Sequence, residues 1–255
     1  MIQTINEAGM TGGGGGHPRW IRLVHWIAAL SVLTLAFSGI VILMAHPRLY
    51  WGATGNDLTP ALIELPISRN YHHAGWKPSE PFFEGRSTPA TAVRSYEIFN
   101  QNGWGRSLHF LAAWFLLAIG ALYWIASIAG GHLRRDLVPR PREFADRGLR
   151  RDVTEHLRMR AQPGTAGPPY GLTQKLAYFG VAFLALPMML VTGLGMSPAF
   201  NAAYPWLSGM FGGSQSARTL HFCFFASIVL FILVHVLMVV RTGFKAQMRG
   251  ITLGK

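Results

Sequence analysis

A stretch of 22 residues without a formal charge, Thr219–Val240, constrains the fold of this chain more than any other feature. Arg218 and Arg241 bound it, and its length exceeds the ~20 residues with which a helix crosses a hydrocarbon core of ~30 Å. Three other apolar segments are long enough to cross as well. Because a chain in lipid must satisfy its own backbone hydrogen bonds, each segment is predicted to be a helix. The other three segments are Trp20–Ala45, Leu108–Ala129 and Leu176–Met196.

The composition agrees with a membrane protein. Hydrophobic residues make up 50% of the chain and charged residues 13%, whereas soluble domains carry ~25% charged residues. The predicted fold class is all-α, an integral membrane four-helix bundle, with one membrane domain over residues 20–245. Its helices are expected at about 20–45, 107–129, 172–196 and 218–241, with tails at 1–19 and 246–255.

Basic residues indicate how the bundle is oriented. The connection 130–175 contains ten Lys and Arg residues, whereas the connection 197–217 contains none. The positive-inside rule therefore places both termini and the loop 130–171 in the cytoplasm, and the loop 46–105 in the periplasm. The net charge of +12 reflects this asymmetry and attraction to an anionic lipid bilayer, so nucleic-acid binding is not indicated. The predicted location is the bacterial inner membrane.

The last apolar segment contains two histidines, His221 and His235. A polar ring is costly in hydrocarbon, so an intramembrane histidine indicates a functional site and needs a partner. The two are 14 residues apart, which at ~100° and ~1.5 Å per residue places them near one face of a helix and ~21 Å apart along its axis. One metal ion cannot be shared over that distance, so each histidine needs a partner of its own.

Partners are predicted at matching depth in the bilayer. His109 begins the second segment on the outer side, and His25 begins the first segment on the inner side. We name His109 and His221 the outer pair, and His25 and His235 the inner pair. Two neutral imidazoles that face each other are the axial ligands of a low-spin b-type haem. The sequence therefore predicts two haems b, with these four histidines as iron ligands.

Arginine precedes three of the four histidines by three residues, in the sequences RLVH, RSLH and RTLH. The planar guanidinium binds carboxylates through two parallel hydrogen bonds, so these arginines are predicted to neutralise haem propionates. The fourth candidate lies six residues beyond His235. The alternative is that each arginine only anchors a helix end at the membrane surface. The candidates are Arg22, Arg106, Arg218 and Arg241.

Small residues late in the first and third segments are predicted to allow close approach of helices or of a porphyrin edge. They are Ser38–Gly39 and the run Thr192–Gly195.

The histidines of this chain also allow roles other than haem binding. A histidine near a helix end often only contacts lipid or water, and His72–His73 in the loop 46–105 is a weaker candidate for a metal site. A proton or metal transporter that uses histidines as a relay is the rival function. Between His221 and His235, however, only Cys223 and Ser227 offer polar groups. That lone cysteine also excludes an intrachain disulfide, and no C-x-x-C-H motif is present for covalent haem attachment.

Three motifs carry a resemblance to a known family. They are RLVHW at Arg22–Trp26, GRSLHF at Gly105–Phe110, and two histidines 14 residues apart in the fourth segment with none in the third. Over about residues 17–245 the chain resembles bacterial di-haem cytochrome b subunits of the b561, nickel-iron hydrogenase and formate dehydrogenase gamma type, including thiosulfate-reductase-like membrane anchors. The resemblance implies the same pairing of the four histidines.

The resemblance also implies a quinone pocket at the inner haem, beside the start of the third helix. The family pattern there is Y-N-x-x-Q-K, and this chain has YGLTQK. Tyr170, Gln174 and Lys175 match the pattern, whereas Gly171 replaces the asparagine. An ordinary interfacial helix start is the alternative for these three residues.

The predicted function is that of an electron-transfer subunit between a periplasmic redox subunit and membrane quinone. The chain has no Rossmann fingerprint, iron–sulfur cysteines or flavin motif, so it is not expected to act on a soluble substrate by itself. The loop 46–105 is rich in Trp, Tyr, His and Pro. It is long for a simple connection and is predicted to dock the partner, or else to pack on its own helices.

Overall fold

The computed structural model describes residues 19–56, 59–67, 102–131, 138, 154 and 172–254. The predicted quinone contact Tyr170, its neighbour Gly171 and the histidines His72–His73 lie outside the described residues. Most of the loops 46–105 and 130–171 also lies outside them.

Four helical segments among the described residues are long and apolar enough to cross a membrane. The first two are the helices α1 (Arg19–Ala45) and α2 (Asn102–Ala129). The third consists of α3 (Leu172–Phe179), a π-helical segment (Gly180–Ala185) and α4 (Leu186–Gly195). The fourth is α7 (Ser214–Arg241). We call these four segments spans one to four, and they confirm the predicted all-α membrane fold class.

The irregular segment of span three lies shortly before Pro187. Proline has no N–H, and its ring clashes with the carbonyl group four residues earlier in a regular α-helix. The π-helical segment Gly180–Ala185 ends two residues before this proline. Its wider turns provide the extra space that the ring needs, which is a common origin of irregularity in long helices.

The chain divides into two compact units, and each of the four spans contributes one part to each unit. The inner pair lies in one unit, which we call the inner unit, and the outer pair lies in the other, the outer unit. Each predicted site is therefore formed within a single unit. The inner unit comprises Met1–Leu30, Phe115–Gly180 and Leu230–Lys255, and the outer unit comprises Ser31–Trp114 and Val181–Val229.

Short elements complete the outer unit. The strands β1 (Arg48–Leu49) and β2 (Ile63–Glu64) pair in an antiparallel ladder, with Arg48 opposite Glu64. Spans three and four are connected through α5 (Pro198–Ala203) and α6 (Pro205–Met210). Both helices begin with proline, whose missing N–H costs nothing in a first turn. In the inner unit, α8 (Phe244–Thr252) follows span four.

The segment after α1 is fixed to the start of α7. The backbone N–H groups of Gln215 and Ser216 donate to the Gly52 carbonyl group at 3.1 and 3.2 Å. In the opposite direction, the Gly52 N–H donates to the Ser216 hydroxyl at 2.7 Å. The Thr219 hydroxyl donates to the Tyr50 carbonyl at 2.6 Å. These bonds satisfy N–H groups that a helix start leaves without partners. The described part of the loop 46–105 thus packs on its own helix.

The fully buried side chains of the spans are small, and all of them except Ala217 are polar. Ser38, Thr192 and Ser216 have no exposed surface, whereas Leu30 and Trp114 each expose 69% of theirs. This distribution is the reverse of a soluble protein and is typical of helices in lipid, where small and hydroxyl residues mediate contacts between helices. The interior of the outer unit is therefore a place where hydroxyl groups meet other polar side chains.

Candidate functional site

The structure brings together the members of each predicted histidine pair. In the outer unit, the rings of His109 on α2 and His221 on α7 have centroids 6.4 Å apart and planes inclined by 53°. In the inner unit, the rings of His25 on α1 and His235 on α7 have centroids 6.5 Å apart and planes inclined by 48°. The two pairs thus have nearly the same geometry, although they are built from different helices.

This spacing fits a metal ion between the rings. A metal ion lies ~2.1 Å from an imidazole nitrogen, and that nitrogen lies ~1.1 Å from the ring centroid, so two axial imidazoles have centroids ~6.4 Å apart. Rings joined directly by an N–H···N hydrogen bond of ~3 Å would have centroids no more than ~5.2 Å apart. Both pairs are too far apart for a direct hydrogen bond and have the spacing of two ligands on one ion.

The number of donors limits which metal centre is possible. Within the part of the chain that the structure describes, no group of three or more His, Cys, Asp or Glu side chains is placed to hold a metal ion. A structural zinc ion takes four protein ligands. Two opposed imidazoles suit a haem iron, whose remaining four ligands are the porphyrin nitrogens. The donor set of each pair therefore fits haem better than a simple metal ion.

A hydroxyl group on span one contacts the ring of His109. Ser38 Oγ lies 2.9 Å from His109 Nδ1 and 2.7 Å from the Thr34 carbonyl oxygen on its own helix. Because the contact to the carbonyl is the shorter of the two, we assign the serine proton to that carbonyl, and the serine oxygen then accepts the Nδ1–H of the histidine. The other ring nitrogen, Nε2, then keeps its lone pair for an iron ion.

His221 has the same kind of neighbour on span three. Thr192 Oγ1 lies 3.0 Å from His221 Nδ1 and 2.5 Å from the Met188 carbonyl oxygen. By the same reasoning, the threonine accepts Nδ1–H and leaves Nε2 available. A glycine follows each hydroxyl residue: a Cβ atom at Gly39 would lie 3.5 Å from Cε1 of His109, and one at Gly193 would lie 3.4 Å from Cε1 of His221.

Sequence reasoning predicted close approach at these dipeptides but missed their hydrogen bonds to the histidines. A signal was present: the two spans without an outer histidine each place a hydroxyl residue and a glycine near the outer end. Serine and threonine are common in membrane helices, where they bond to a carbonyl of their own helix. The residue pattern alone did not distinguish that role from a contact between helices.

The inner pair lies among aromatic rings. The His235 ring stacks on Phe231 at 5.8 Å with planes inclined by 19°, and Phe231 meets the edge of Tyr178 at 6.3 Å. The Trp26 ring meets the His25 ring edge-on at 5.2 Å. Trp26 also donates from Nε1 to the Ile251 carbonyl oxygen at 3.2 Å. The tryptophan of the RLVHW motif thus links α1 to the C-terminal end of α8.

The predicted propionate arginines have different surroundings. Arg22 donates from Nη1 to the Thr252 carbonyl oxygen at 2.7 Å, while its Nε is buried without a hydrogen-bond partner. Arg218 donates to the His46 carbonyl oxygen. Arg106 and Arg241 are exposed. Each bonded guanidinium retains further donors, so a role toward carboxylates stays a prediction for all four.

The predicted quinone residues lie at the start of span three. Lys175 is buried, with 3% of its surface exposed, and Gln174 is partly buried. Both belong to the inner unit, as does the inner pair. A buried lysine in the first turn of a membrane helix is unusual because its charge is costly there. Their role in quinone binding stays a prediction.

A family-level comparison covers nearly the whole chain. The family model described as prokaryotic cytochrome b561 matches residues 16–253. That range includes all four spans and both histidine pairs.

Individual relatives are distant but of similar length. A putative protein-methionine-sulfoxide reductase subunit, YedZ1, from Azospira oryzae is 24% identical and covers 88% of this chain and 89% of its own. A probable Ni/Fe-hydrogenase B-type cytochrome subunit from Azotobacter vinelandii is 26% identical over 87% of this chain and 78% of its own. The protein of that description from Cupriavidus necator is 27% identical, with 87% and 76% covered. No solved structure matches.

Proposed function

The chain belongs to the prokaryotic cytochrome b561 family, and on that premise we propose that it holds two haems b and passes electrons between a periplasmic oxidoreductase subunit and the membrane quinone pool. Family membership makes it a b-type cytochrome, a membrane subunit for electron transfer. The proposal adds the number of haems, their ligands and the two partners. The observation that carries it is the spacing of the histidine pairs, 6.4 and 6.5 Å between ring centroids.

Each pair is proposed to hold one haem iron through one nitrogen of each ring. His109 and His221 bind at the outer site, and His25 and His235 at the inner site. A haem held by such a pair would supply one-electron exchange between ferric and ferrous iron. The protein holds all four rings on membrane-spanning helices, so no ligand has to be gained or lost when an electron arrives. This keeps the structural change during electron exchange small.

Arginine is proposed to neutralise the propionates. The buried Nε of Arg22 supports this role, because a buried donor without an acceptor is costly and a propionate oxygen would satisfy it. Arg106, Arg218 and Arg241 are the corresponding candidates on the other helices. Electrostatic neutralisation by a planar guanidinium also fixes the direction in which a propionate enters the site.

The two partners are proposed to react on opposite sides of the membrane. Ten Lys and Arg residues in the connection 130–175, against none in 197–217, support an inner-membrane protein with cytoplasmic termini. Quinone then reacts at the inner haem, beside Tyr170, Gln174 and Lys175. The catalytic subunit docks on the periplasmic side, which includes the loop 46–105. The names of relatives as subunits of a reductase and of hydrogenases support such a partner.

An absorption spectrum distinguishes this proposal from a histidine relay without haem. The purified protein, reduced with dithionite, is expected to show the sharp α and Soret bands of haem b. A relay transporter would be colourless, and a colourless protein with correctly inserted helices would contradict the proposal.

A substitution at the start of span three tests the side on which quinone reacts. Gln174→Leu removes a polar contact for a quinone carbonyl and is expected to slow haem reduction by a quinol analogue about tenfold or more. Reduction by a membrane-impermeant donor from the periplasmic side should change little. Gln247→Leu, the same substitution at an exposed position of α8, is the control. Normal quinol kinetics in Gln174→Leu, together with their loss in Trp76→Ala, a substitution in the loop 46–105, would move the quinone site to the periplasmic face.

A further inference from the structure

We propose that Ser38 and Thr192 are positioning residues that set the reduction potential of the outer haem and help to retain it. They do so by holding both of its axial imidazoles as Nδ1–H donors. This inference rests on the proposed function, because it requires a haem between His109 and His221. It concerns the two hydroxyl groups that contact the ligand histidines, not the ligands themselves or the propionates.

The first support is the direction of the hydrogen bonds. Both hydroxyl residues have no exposed surface. Each is close to the carbonyl group four residues earlier, at 2.7 Å for Ser38 and 2.5 Å for Thr192, and each contacts Nδ1 of a histidine at 2.9 or 3.0 Å. A hydroxyl has one proton, and we assign it to the carbonyl because each carbonyl contact is shorter than the contact to Nδ1. Each oxygen can then only accept from the imidazole, which fixes the tautomer that a haem iron needs.

The second support is the fixed rotation of the rings. Gly39 and Gly193 present bare backbone to the Cε1 atoms of the two histidines, at contact distances of 3.5 and 3.4 Å for an added Cβ atom. A hydroxyl group holds one ring edge through a hydrogen bond, and the glycine backbone lies close to the adjacent edge, where an added Cβ atom would be in ordinary van der Waals contact. Rotation of each ring about its Cβ–Cγ bond is therefore restricted. The two ring planes are inclined by 53° in this arrangement.

The third support is that the outer unit contains this arrangement twice. Span one places Ser38–Gly39 against the histidine of RSLH on span two, and span three places Thr192–Gly193 against the histidine of RTLH on span four. Two separate pairs of helices thus reach the same geometry. A hydroxyl group can bond to a carbonyl of its own helix without such a position beside a histidine. Ser227 is an example, because it donates to the Cys223 carbonyl at 2.9 Å and is exposed.

The chemical consequence follows from the electron density on the ligand. An imidazole whose N–H is hydrogen-bonded is a stronger base at its other nitrogen, and a more basic ligand stabilises ferric iron relative to ferrous iron. The two hydroxyls therefore lower the reduction potential of the outer haem. Groups of this kind commonly change metal affinity by ~10–100-fold when they are removed. Ser38 and Thr192 belong to the outer unit together with His109 and His221, so the outer haem is expected to respond alone.

The test uses the full-length protein in detergent with four variants. Thr192→Val removes the hydroxyl at nearly constant volume, Thr192→Ser keeps it, and Ser38→Ala removes the other one. Ser227→Ala is the control for loss of a hydroxyl bonded to its own helix. Three quantities are measured for each variant: haem retained per chain, the potentials of the two haems by redox titration, and the low-spin EPR signals of the ferric protein. A His221→Ala sample identifies which signals belong to the outer haem.

Thr192→Val and Ser38→Ala are expected to raise the outer potential, shift the outer EPR signal and weaken retention of the outer haem by ~10-fold or more. Thr192→Ser and Ser227→Ala should resemble the wild type. Unchanged potential and EPR signal in both hydroxyl-free variants would overturn the inference. So would equal loss of both haems, or a defect in Thr192→Ser as large as in Thr192→Val, because packing would then explain the effect. Absence of haem from the wild type would instead contradict the proposed function itself.

Discussion

At the scale of single residues, the free-energy cost of placing a polar side chain in lipid decides whether its role can be predicted from the sequence. A histidine in an apolar run is expensive and therefore conspicuous, which is why the outer and inner pairs were predicted without a structure. Ser38 and Thr192 are inexpensive, because their hydroxyls bond to a carbonyl of their own helix. Whether such a residue also meets a histidine depends on how each helix is rotated, and a residue pattern does not contain that information.

The two arginines of the outer RxLH motifs provide a prediction at this scale. Arg218 donates to the His46 carbonyl oxygen, whereas Arg106 is exposed. In the protein freed of haem, where no propionate is present, Arg218→Leu should lower the free energy of unfolding by about 1–2 kcal/mol through loss of a charge-assisted hydrogen bond. Arg106→Leu should change the same quantity by less than about 0.5 kcal/mol. Thermal unfolding in detergent, followed by near-UV circular dichroism, measures both. Equal effects of the two substitutions would show that the carbonyl contact contributes nothing.

At the scale of elements, apolar length predicts the spans but not how they begin. The structure starts α2 at Asn102 and α7 at Ser214, earlier than the expected 107 and 218. Apart from Trp104, the added residues are small, polar or charged, so they carry almost no apolar signal. In α7 their N–H groups are satisfied by the Gly52 carbonyl from another part of the chain. The π-helical segment before Pro187 was not predicted either. A proline in a helix predicts that the helix is irregular there, but not whether the irregularity is a kink or a π-helical turn.

Glycines beside α7 allow a graded test of that helix start. Gly213 has φ +127°, and a Cβ atom there would overlap the Gly52 backbone, so Gly213→Ala should cost about 2–4 kcal/mol. Gly212 has φ +79° but only a distant neighbour, so Gly212→Ala should cost about 1 kcal/mol. A Cβ atom at Gly209 would have no neighbour within 4 Å, so Gly209→Ala should leave the free energy of unfolding unchanged or raise it slightly. Thermal unfolding of the three variants gives the order, and a harmless Gly213→Ala would refute the described packing of the loop on α7.

At the scale of the whole molecule, the account depends on one long helix that serves two sites. The four spans each contribute to both compact units, and α7 carries one histidine of each pair. The chain needs no cysteine, acidic cluster or nucleotide motif to perform its proposed task, because the haems supply the redox chemistry. The fold class and family could be inferred from apolar length and histidine spacing. The hydroxyl contacts and the loop packed on α7 depend on tertiary structure and could not.

The number of haems per chain tests the central claim most directly. Haem content, measured as the pyridine haemochrome against protein concentration, should be two for the wild type and one for either His221→Ala or His235→Ala. Replacing both histidines should leave none, since each pair loses a ligand. His46→Ala, at an exposed position outside the spans, should retain two. One haem in the wild type, or two in His221→Ala, would contradict the account.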